Sequence, residues 1–236
     1  MQSSSADQVQ GNTRMSEQGC LFIVATPIGN DKDMTIRATE ILQSVDAVIC
    51  EEYREGSTLL KKLAIKNELI LLNEHNEETQ SPEIVALLEQ GQSLALISDC
   101  GTPVFADPGH LLLRLVVQGG IPIVPVPGPS SLMAALSVCH FPMERFLFGG
   151  FLPRNKEERR QELHRMRKAN SPVVLMDTPY RMAALMRDVA SVFGSKRQVV
   201  LACDLTLPSE HIYRGTTGAV LKQVENQKRE FVLIIK

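Results

Sequence analysis

A loop of glycine, proline and aspartate follows one apolar segment of this chain and has the residue types of a binding site. Leu94-Ala95-Leu96-Ile97 has the pattern of a buried parallel strand, and Ser98 to Gly109 continues directly from it. Ligands of open α/β sheets bind outside the carboxyl ends of the strands. Here Asp99 and Asp107 could accept hydrogen bonds from hydroxyls or amines. The loop is therefore a candidate cofactor site, with turn chemistry alone as the alternative.

Apolar segments alternate with helical patterns through the first half of the chain. Leu21 to Ala25 and Ala47 to Cys50 have the pattern of strands on either side of an amphipathic helix. Ser81-Pro82-Glu83 predicts the start of another helix, which Gly91 would end. The segment Ile121 to Val126 predicts a further strand. This alternation predicts a mainly parallel sheet with helices on both faces.

The pattern changes after about residue 137. Glu210 to Arg214 and Phe231 to Ile235 have strand patterns and are separated only by a short helix, which favours a mixed sheet. We therefore expect an N-terminal α/β domain at residues 20–136 and a C-terminal α/β domain at residues 137–236. Residues 1–19 are polar, and we expect a disordered tail there, with Met1 and Met15 both open as the biological start.

Composition excludes several classes of protein. The chain has 236 residues, of which 44% are hydrophobic, enough for one large or two small domains. Its five cysteines show neither disulfide spacing nor a C-x-x-C zinc pair, so we expect a reduced, cytoplasmic setting and no metal. The N-terminus lacks the apolar segment of a secretory signal, and we expect no membrane anchor. The loop Ala25 to Asn30 has a single glycine, which disfavours a dinucleotide.

Five segments together resemble a family signature. They are, in order, Val24 to Asn30, Glu74 to Glu77, Ser98 to Gly109, Pro127 to Ser130 and Gly150 to Pro153. From about Leu21 onwards the chain resembles the tetrapyrrole methylase-like class of S-adenosylmethionine (SAM) methyltransferases. It is most similar to the branch that methylates a ribose 2′-hydroxyl in 16S ribosomal RNA, of which it would be a short, divergent member. The resemblance implies two α/β domains with SAM in the cleft between them, and a homodimer.

The family pattern also implies the residues of the cofactor cleft. SAM carries no phosphate, so its site needs an apolar slot, hydroxyl partners and acceptors instead of a glycine cradle. The positions that match the family's cofactor-binding residues are Pro27, Ser98, Asp99, Gly101, Thr102, Ser130 and Ser131.

Several side chains could assist the transfer of a methyl group to oxygen. A hydroxyl nucleophile gains from a nearby proton acceptor, and the candidates are Glu51, Glu52, His75, Glu77 and Asp107. Of these we select Glu52, His75 and Asp107, together with Arg54 as an orienting or phosphate-facing group. The alternative is that Glu51 to Arg54 is a solvated loop and His75 an exposed loop residue.

A basic segment follows the last family motif. Arg154 to Lys168 contains seven basic and three acidic residues, on a chain with a formal net charge of −2. Phosphodiester backbones bind mainly through such side chains, so we select Arg154, Lys156, Arg159 and Arg160 as RNA-binding residues. The alternative is the solvated face of a charged helix.

Two segments depart from the pattern of the ribosomal branch. Met176-Asp177-Thr178-Pro179-Tyr180-Arg181 replaces Tyr-Glu-Ser-x-His-Arg, and Cys203-Asp204-Leu205-Thr206-Leu207 replaces Arg-Glu-Leu-Thr-Lys. Loss of an Arg and a Lys removes donors suited to phosphate. Three interpretations stay open: a methyltransferase of ribosomal RNA, a methyltransferase of a small molecule such as a tetrapyrrole precursor, and a SAM-binding protein without activity.

Overall fold

Five parallel strands form the sheet of the N-terminal half. The computed structural model describes residues 19–236. The strands are β1 Leu21–Val24, β2 Ala47–Cys50, β3 Glu68–Leu71, β4 Leu94–Ile97 and β5 Ile123–Val126. Their order across the sheet is β3-β2-β4-β1-β5. The central strands β2 and β4 are buried on both faces, as their uninterrupted apolar sequences require.

Four helices cover the two faces of this sheet. Helices α1 Ile36–Ser44 and α2 Tyr53–Lys62 pack on one face, and α3 Glu77–Glu89 and α4 His110–Gln118 pack on the other. The chain leaves β1 towards β2 but leaves the adjacent β4 towards β5, on the other side of β1. The first connection leads to α1 on one face of the sheet and the second leads to α4 on the other face. They leave a crevice at the carboxyl ends of β1 and β4, which is where ligands of such sheets bind.

The second sheet is mixed, as the sequence predicts. It contains β6 Leu147–Phe151, β7 Val173–Asp177, β8 Gln198–Cys203, β9 His211–Thr216 and β10 Phe231–Ile235. The order is β6-β7-β10-β8-β9, in which only β6 and β7 pair in parallel. One face packs against α6 Lys156–Lys168, α7 Met182–Phe193 and α8 Thr217–Val224.

The short helix α5, Ser131–Ser137, links the two halves. It follows β5 of the first sheet, yet its buried residue Ala135 packs with Val174, Val200 and Val232 of the second sheet. This packing favours counting α5 with the C-terminal half, so the division at residue 136 stays a prediction. Residues 1–18 of the expected tail lie outside the described residues. Gly19 belongs to the fold, because its N–H donates a hydrogen bond of 3.0 Å to Leu88 O.

One predicted helix boundary is wrong. Helix α3 begins at Glu77, so Ser81 and Pro82 lie inside it instead of capping it. The turn from Asn73 to Asn76 starts the helix earlier, because the Asn76 side chain accepts the Asn73 N–H and the carbonyls of both residues accept N–H groups of α3. Pro82 is tolerated because it lies on the exposed side of the helix.

No helix of the described part of the chain is both long and apolar enough to cross a membrane. Besides the packing of α5, a hydrogen bond and an aromatic contact join the two halves. Asn30 N donates to Thr206 Oγ1 at 3.0 Å, and the rings of Phe105 and Phe148 lie 4.8 Å apart. The loops at the carboxyl edge of the first sheet therefore face one end of the second sheet across a cleft.

Candidate active site in the interdomain cleft

The cleft contains a cavity of about 420 Å³ with walls from both halves. The N-terminal wall includes Ile28 and the loop after β4, and the opposite wall includes strand residues Met176, Ala202 and Phe231. Most of the exposed lining is apolar. Such a cavity can enclose a small molecule with an apolar body and a few polar ends.

Two glycines shape the loop after β4. Gly101 has φ of +88° and Gly109 has φ of +122°, which are conformations that side chains resist. The loop is tied to the first strand, because Thr26 Oγ1 donates to Ser98 O at 3.0 Å and Thr26 N donates to Gly101 O at 2.8 Å. The two glycines therefore determine the backbone path of this loop.

The predicted cofactor residues divide between two neighbouring cavities. Those that line the main cavity are Gly101, Thr102, Ser130 and Ser131. The others, Pro27, Ser98 and Asp99, line a smaller cavity of about 240 Å³. Both cavities include Ile28 and Cys100, so they meet at the tip of the loop. The seven residues are brought together at one edge of the sheet, and their contact with a cofactor stays a prediction.

Carboxylates cluster at the same edge. Burial, followed by the charges of Asp107, Asp99, Glu52 and Glu74, raises the pKa of Glu51 from 4.5 to about 6. Burial also raises the pKa of Asp107 and that of Asp99. This cluster places negative charge and a proton acceptor beside the cavity.

The four selected catalytic candidates are placed differently. Asp107 is half-buried and lines the main cavity. Glu52 and Arg54 are exposed at the start of α2, and Glu52 N donates to Asp99 Oδ1 at 3.4 Å. The side chain of His75 is 84% exposed and pairs with Glu74 at 3.5 Å. Glu52, Arg54 and His75 line neither cavity, and their catalytic roles stay predictions.

Two further carboxylates are relevant to the site. Glu77 has a structural role, because its Oε1 accepts the N–H groups of Gly109 and Leu111 and so caps α4, and it lines neither cavity. Glu51, a candidate that we did not select, has a pKa raised to about 6. Its position immediately after β2 was the signal, since strand ends meet at the cleft.

The C-terminal wall also contributes acids that sequence reasoning missed. Asp204 and Glu230 line the main cavity, and burial and then Asp204 raise the pKa of Glu230. Asp204 follows β8 in the segment that departs from the family pattern. Asp204 has φ of +50° and Thr206 has φ of +67°. The backbone therefore turns sharply in this loop, which lines the cavity.

The basic segment is only partly a surface feature. Arg154 and Lys156 are exposed, and Arg160 Nη2 donates to Ser191 Oγ at 2.9 Å. The prediction that Arg159 binds RNA is wrong, because its guanidinium is buried and pairs with Asp188 at 2.6 Å. The 13-residue helix α6 must pack one face on the sheet, and Arg159 lies on that face.

Comparisons with known proteins agree with this architecture. Residues 20–221 match the family of Tetrapyrrole (Corrin/Porphyrin) Methylases. The chain is 42% identical over 226 residues to "Ribosomal RNA small subunit methyltransferase I" of Xylella fastidiosa, covering 94% of this chain and 83% of the relative. It is 39% identical over 210 residues to the protein of that name from Thermotoga maritima, covering 89% and 94%.

A solved structure supports the same fold. The uroporphyrin-III-C-methyltransferase of Thermus thermophilus superimposes with a TM-score of 0.62 at 20% identity, covering 92% of this chain and 94% of that one. The chain is therefore a two-domain methyltransferase of the α/β type. More particularly, it belongs to the tetrapyrrole methylase family, which confirms the resemblance read from its motifs.

Proposed function

We propose that this protein transfers the methyl group of SAM to a ribose 2′-hydroxyl in the RNA of the small ribosomal subunit. The observation that carries the proposal is the extent of the match to relatives named as methyltransferases of that RNA. The match, in which about two residues in five are identical, covers 94% of this chain and therefore spans both domains.

The cleft suits SAM as the methyl donor. Apolar side chains such as Ile28, Leu132 and Val232 offer a slot for the adenine ring, and Thr102 and Ser131 offer polar groups for the ribose. SAM supplies a methyl group on a positively charged sulfur. The carboxylates of Asp107, Asp204 and Glu230 favour a cation in this cavity.

Positioning is the main task of the protein in this reaction. Methyl transfer needs the hydroxyl oxygen and the methyl carbon in line at short range, which a cleft between two packed domains can enforce. Asp107 lines the cavity and has a raised pKa, so it is our candidate to accept the hydroxyl proton, with Glu51 as its neighbour.

An RNA surface would lie outside the cleft. Arg154, Lys156 and Arg160 lie next to β6, whose last residue Phe151 lines the main cavity. Their positive charge suits a polyanion that enters at this side. We further propose that the protein acts as a homodimer in the cytoplasm, as the family resemblance implies.

The reaction can be tested directly. The protein is incubated with labelled SAM and undermethylated small ribosomal subunits, and the label is mapped by nuclease digestion and mass spectrometry. Label on a ribose 2′-oxygen of the subunit RNA is expected. Label on a base, or transfer to a tetrapyrrole precursor instead, would contradict the proposal. Bound SAM without transfer to any acceptor would favour a SAM-binding protein without activity.

A further inference from the structure

An open hollow of about 620 Å³ lies beside the main cavity on the C-terminal domain. It is lined by the end of β6, the segment that follows it and the loop after β7. Phe151 lines both the hollow and the main cavity, so the two spaces are adjacent. A nucleic acid with one nucleotide at the cleft could therefore place a neighbouring nucleotide in this hollow.

Two exposed aromatic rings face this space. Tyr180 is 79% exposed and Phe151 is 53% exposed, although side chains of this size are usually covered. Lys228 Nζ lies 5.0 Å from the centre of the Tyr180 ring. Exposed aromatic rings close to cations are the features on which unpaired nucleobases stack in proteins that bind single-stranded nucleic acid.

Hydrogen bonds and an ion pair hold together the segments that line the hollow. Arg181 Nη2 donates to Leu152 O at 2.9 Å and to Pro153 O at 2.7 Å, which ties the two lining segments together. The Asp177 side chain is fully buried, and its Oδ1 accepts the Thr178 N–H. Asp177 Oδ2 has no hydrogen-bond partner among the described residues. Because this oxygen is covered, the carboxylate acts through its Oδ1, which also pairs with Arg181 Nη1 at 3.3 Å and so holds the side chain that links the two segments.

The charge around the hollow suits a nucleic acid more than an apolar peptide. Arg154 lines it and is exposed, and Lys156 follows at the start of α6. Both can reach phosphates on either side of a stacked base. Exposed aromatic rings and cations therefore occur together outside the cofactor cavity.

We propose that this hollow binds an unpaired nucleobase of the RNA substrate, next to the nucleotide that is methylated, with Tyr180 as its stacking platform. The inference rests on the proposed function, because it assigns a second contact with the same RNA. It also names Tyr180 as a determinant of substrate affinity that acts outside the cofactor cavity.

The test uses the full-length protein and a short single-stranded RNA that carries one 2-aminopurine. Stacking on Tyr180 should quench the fluorescence of the 2-aminopurine. Tyr180→Ala should remove this quenching and weaken RNA binding about tenfold. Tyr180→Phe keeps the ring and should retain both. Val117→Ala is a matched control, since Val117 is 66% exposed on α4 and lines none of the three cavities.

Each outcome separates this inference from the proposed function. With small subunits as substrate, Tyr180→Ala should raise KM and leave both kcat and SAM affinity near those of the unmodified protein. Equal RNA affinity for Tyr180→Ala and the unmodified protein would overturn the inference even if the RNA is methylated. Tyr180-dependent quenching without methylation of any RNA would contradict the proposed function alone. Binding of an acidic tetrapyrrole in the hollow, in place of RNA, would overturn both.

Discussion

Two regions beside the cleft differ in chemistry. The loop of residues 98–109 presents backbone groups, hydroxyls and carboxylates, and its path depends on Gly101 and Gly109. The segment of residues 151–168, of which Phe151 lines the main cavity, presents aromatic and basic side chains towards solvent. The loop suits a small cation and the segment suits a large polyanion. The proposed transfer of a methyl group to RNA would use both.

The two regions are also stabilised differently. Gly101 and Gly109 at positive φ and the Glu77 cap on α4 shape the acidic loop, whereas the buried Arg159–Asp188 pair anchors the basic helix α6 to α7. Substitutions of the loop glycines therefore test the backbone conformation. Substitutions of the Arg159–Asp188 pair test the cost of a buried charge without its partner.

Arg159→Ala should destabilise the protein by about 3–5 kcal/mol, because it leaves the Asp188 carboxylate buried without its partner. Urea denaturation measures the change in the free energy of unfolding. Arg160→Ala is the matched control on the same helix and should cost less than about 1 kcal/mol, since its hydrogen bond to Ser191 is exposed. Equal losses in the free energy of unfolding for the two variants would show that the Arg159–Asp188 pair does not anchor α6.

Gly109→Ala should cost about 1–3 kcal/mol, because a Cβ would force φ of +122° on an alanine and meet Leu96 Cδ2 at 3.2 Å. Thermal denaturation followed by circular dichroism measures the loss. Gly120→Ala is the control, with φ of +65° and no atom within 4 Å of the added Cβ. Gly120→Ala should be clearly less destabilising than Gly109→Ala. A larger loss of stability for Gly120→Ala would contradict the role of Gly109 in the backbone path of the loop.

Thr206→Val should cost about 1 kcal/mol, since Asn30 N loses its partner across the domain interface. Thr58→Val removes a hydroxyl that bonds only within α2 and serves as the control. Unfolding in urea compares the two variants. An unchanged free energy of unfolding for Thr206→Val would show that this contact does not couple the two walls.

Glu51 should give the smallest effect, visible as a pH dependence. Its pKa is about 6 in the folded protein against 4.5 ordinarily, so the folded state binds more protons between these pH values. Stability attributable to Glu51 therefore falls as pH rises from about 4.5 to about 6, and Glu51→Gln should remove this fall. Denaturation at a series of pH values measures it. A parallel pH dependence in both proteins would contradict the prediction.

Local sequence determined the strands, the fold class and the general position of the site. Short, uninterrupted apolar segments such as Leu94 to Ile97 favour strands buried on both faces, and glycine and aspartate after such a strand indicate a ligand edge. The family motifs carried the assignment to methyltransferases, because their order and spacing match together.

Tertiary structure decided which side of each element a side chain occupies. Arg159 and Arg160 are indistinguishable by local composition, yet only the packing of α6 on the sheet buries the first. Glu77 caps α4, a helix that begins 33 residues further along the chain, and Asp204 and Glu230 reach the cleft because the second sheet ends there. Such contacts depend on how the elements pack, which the spacing of residues along the chain does not specify.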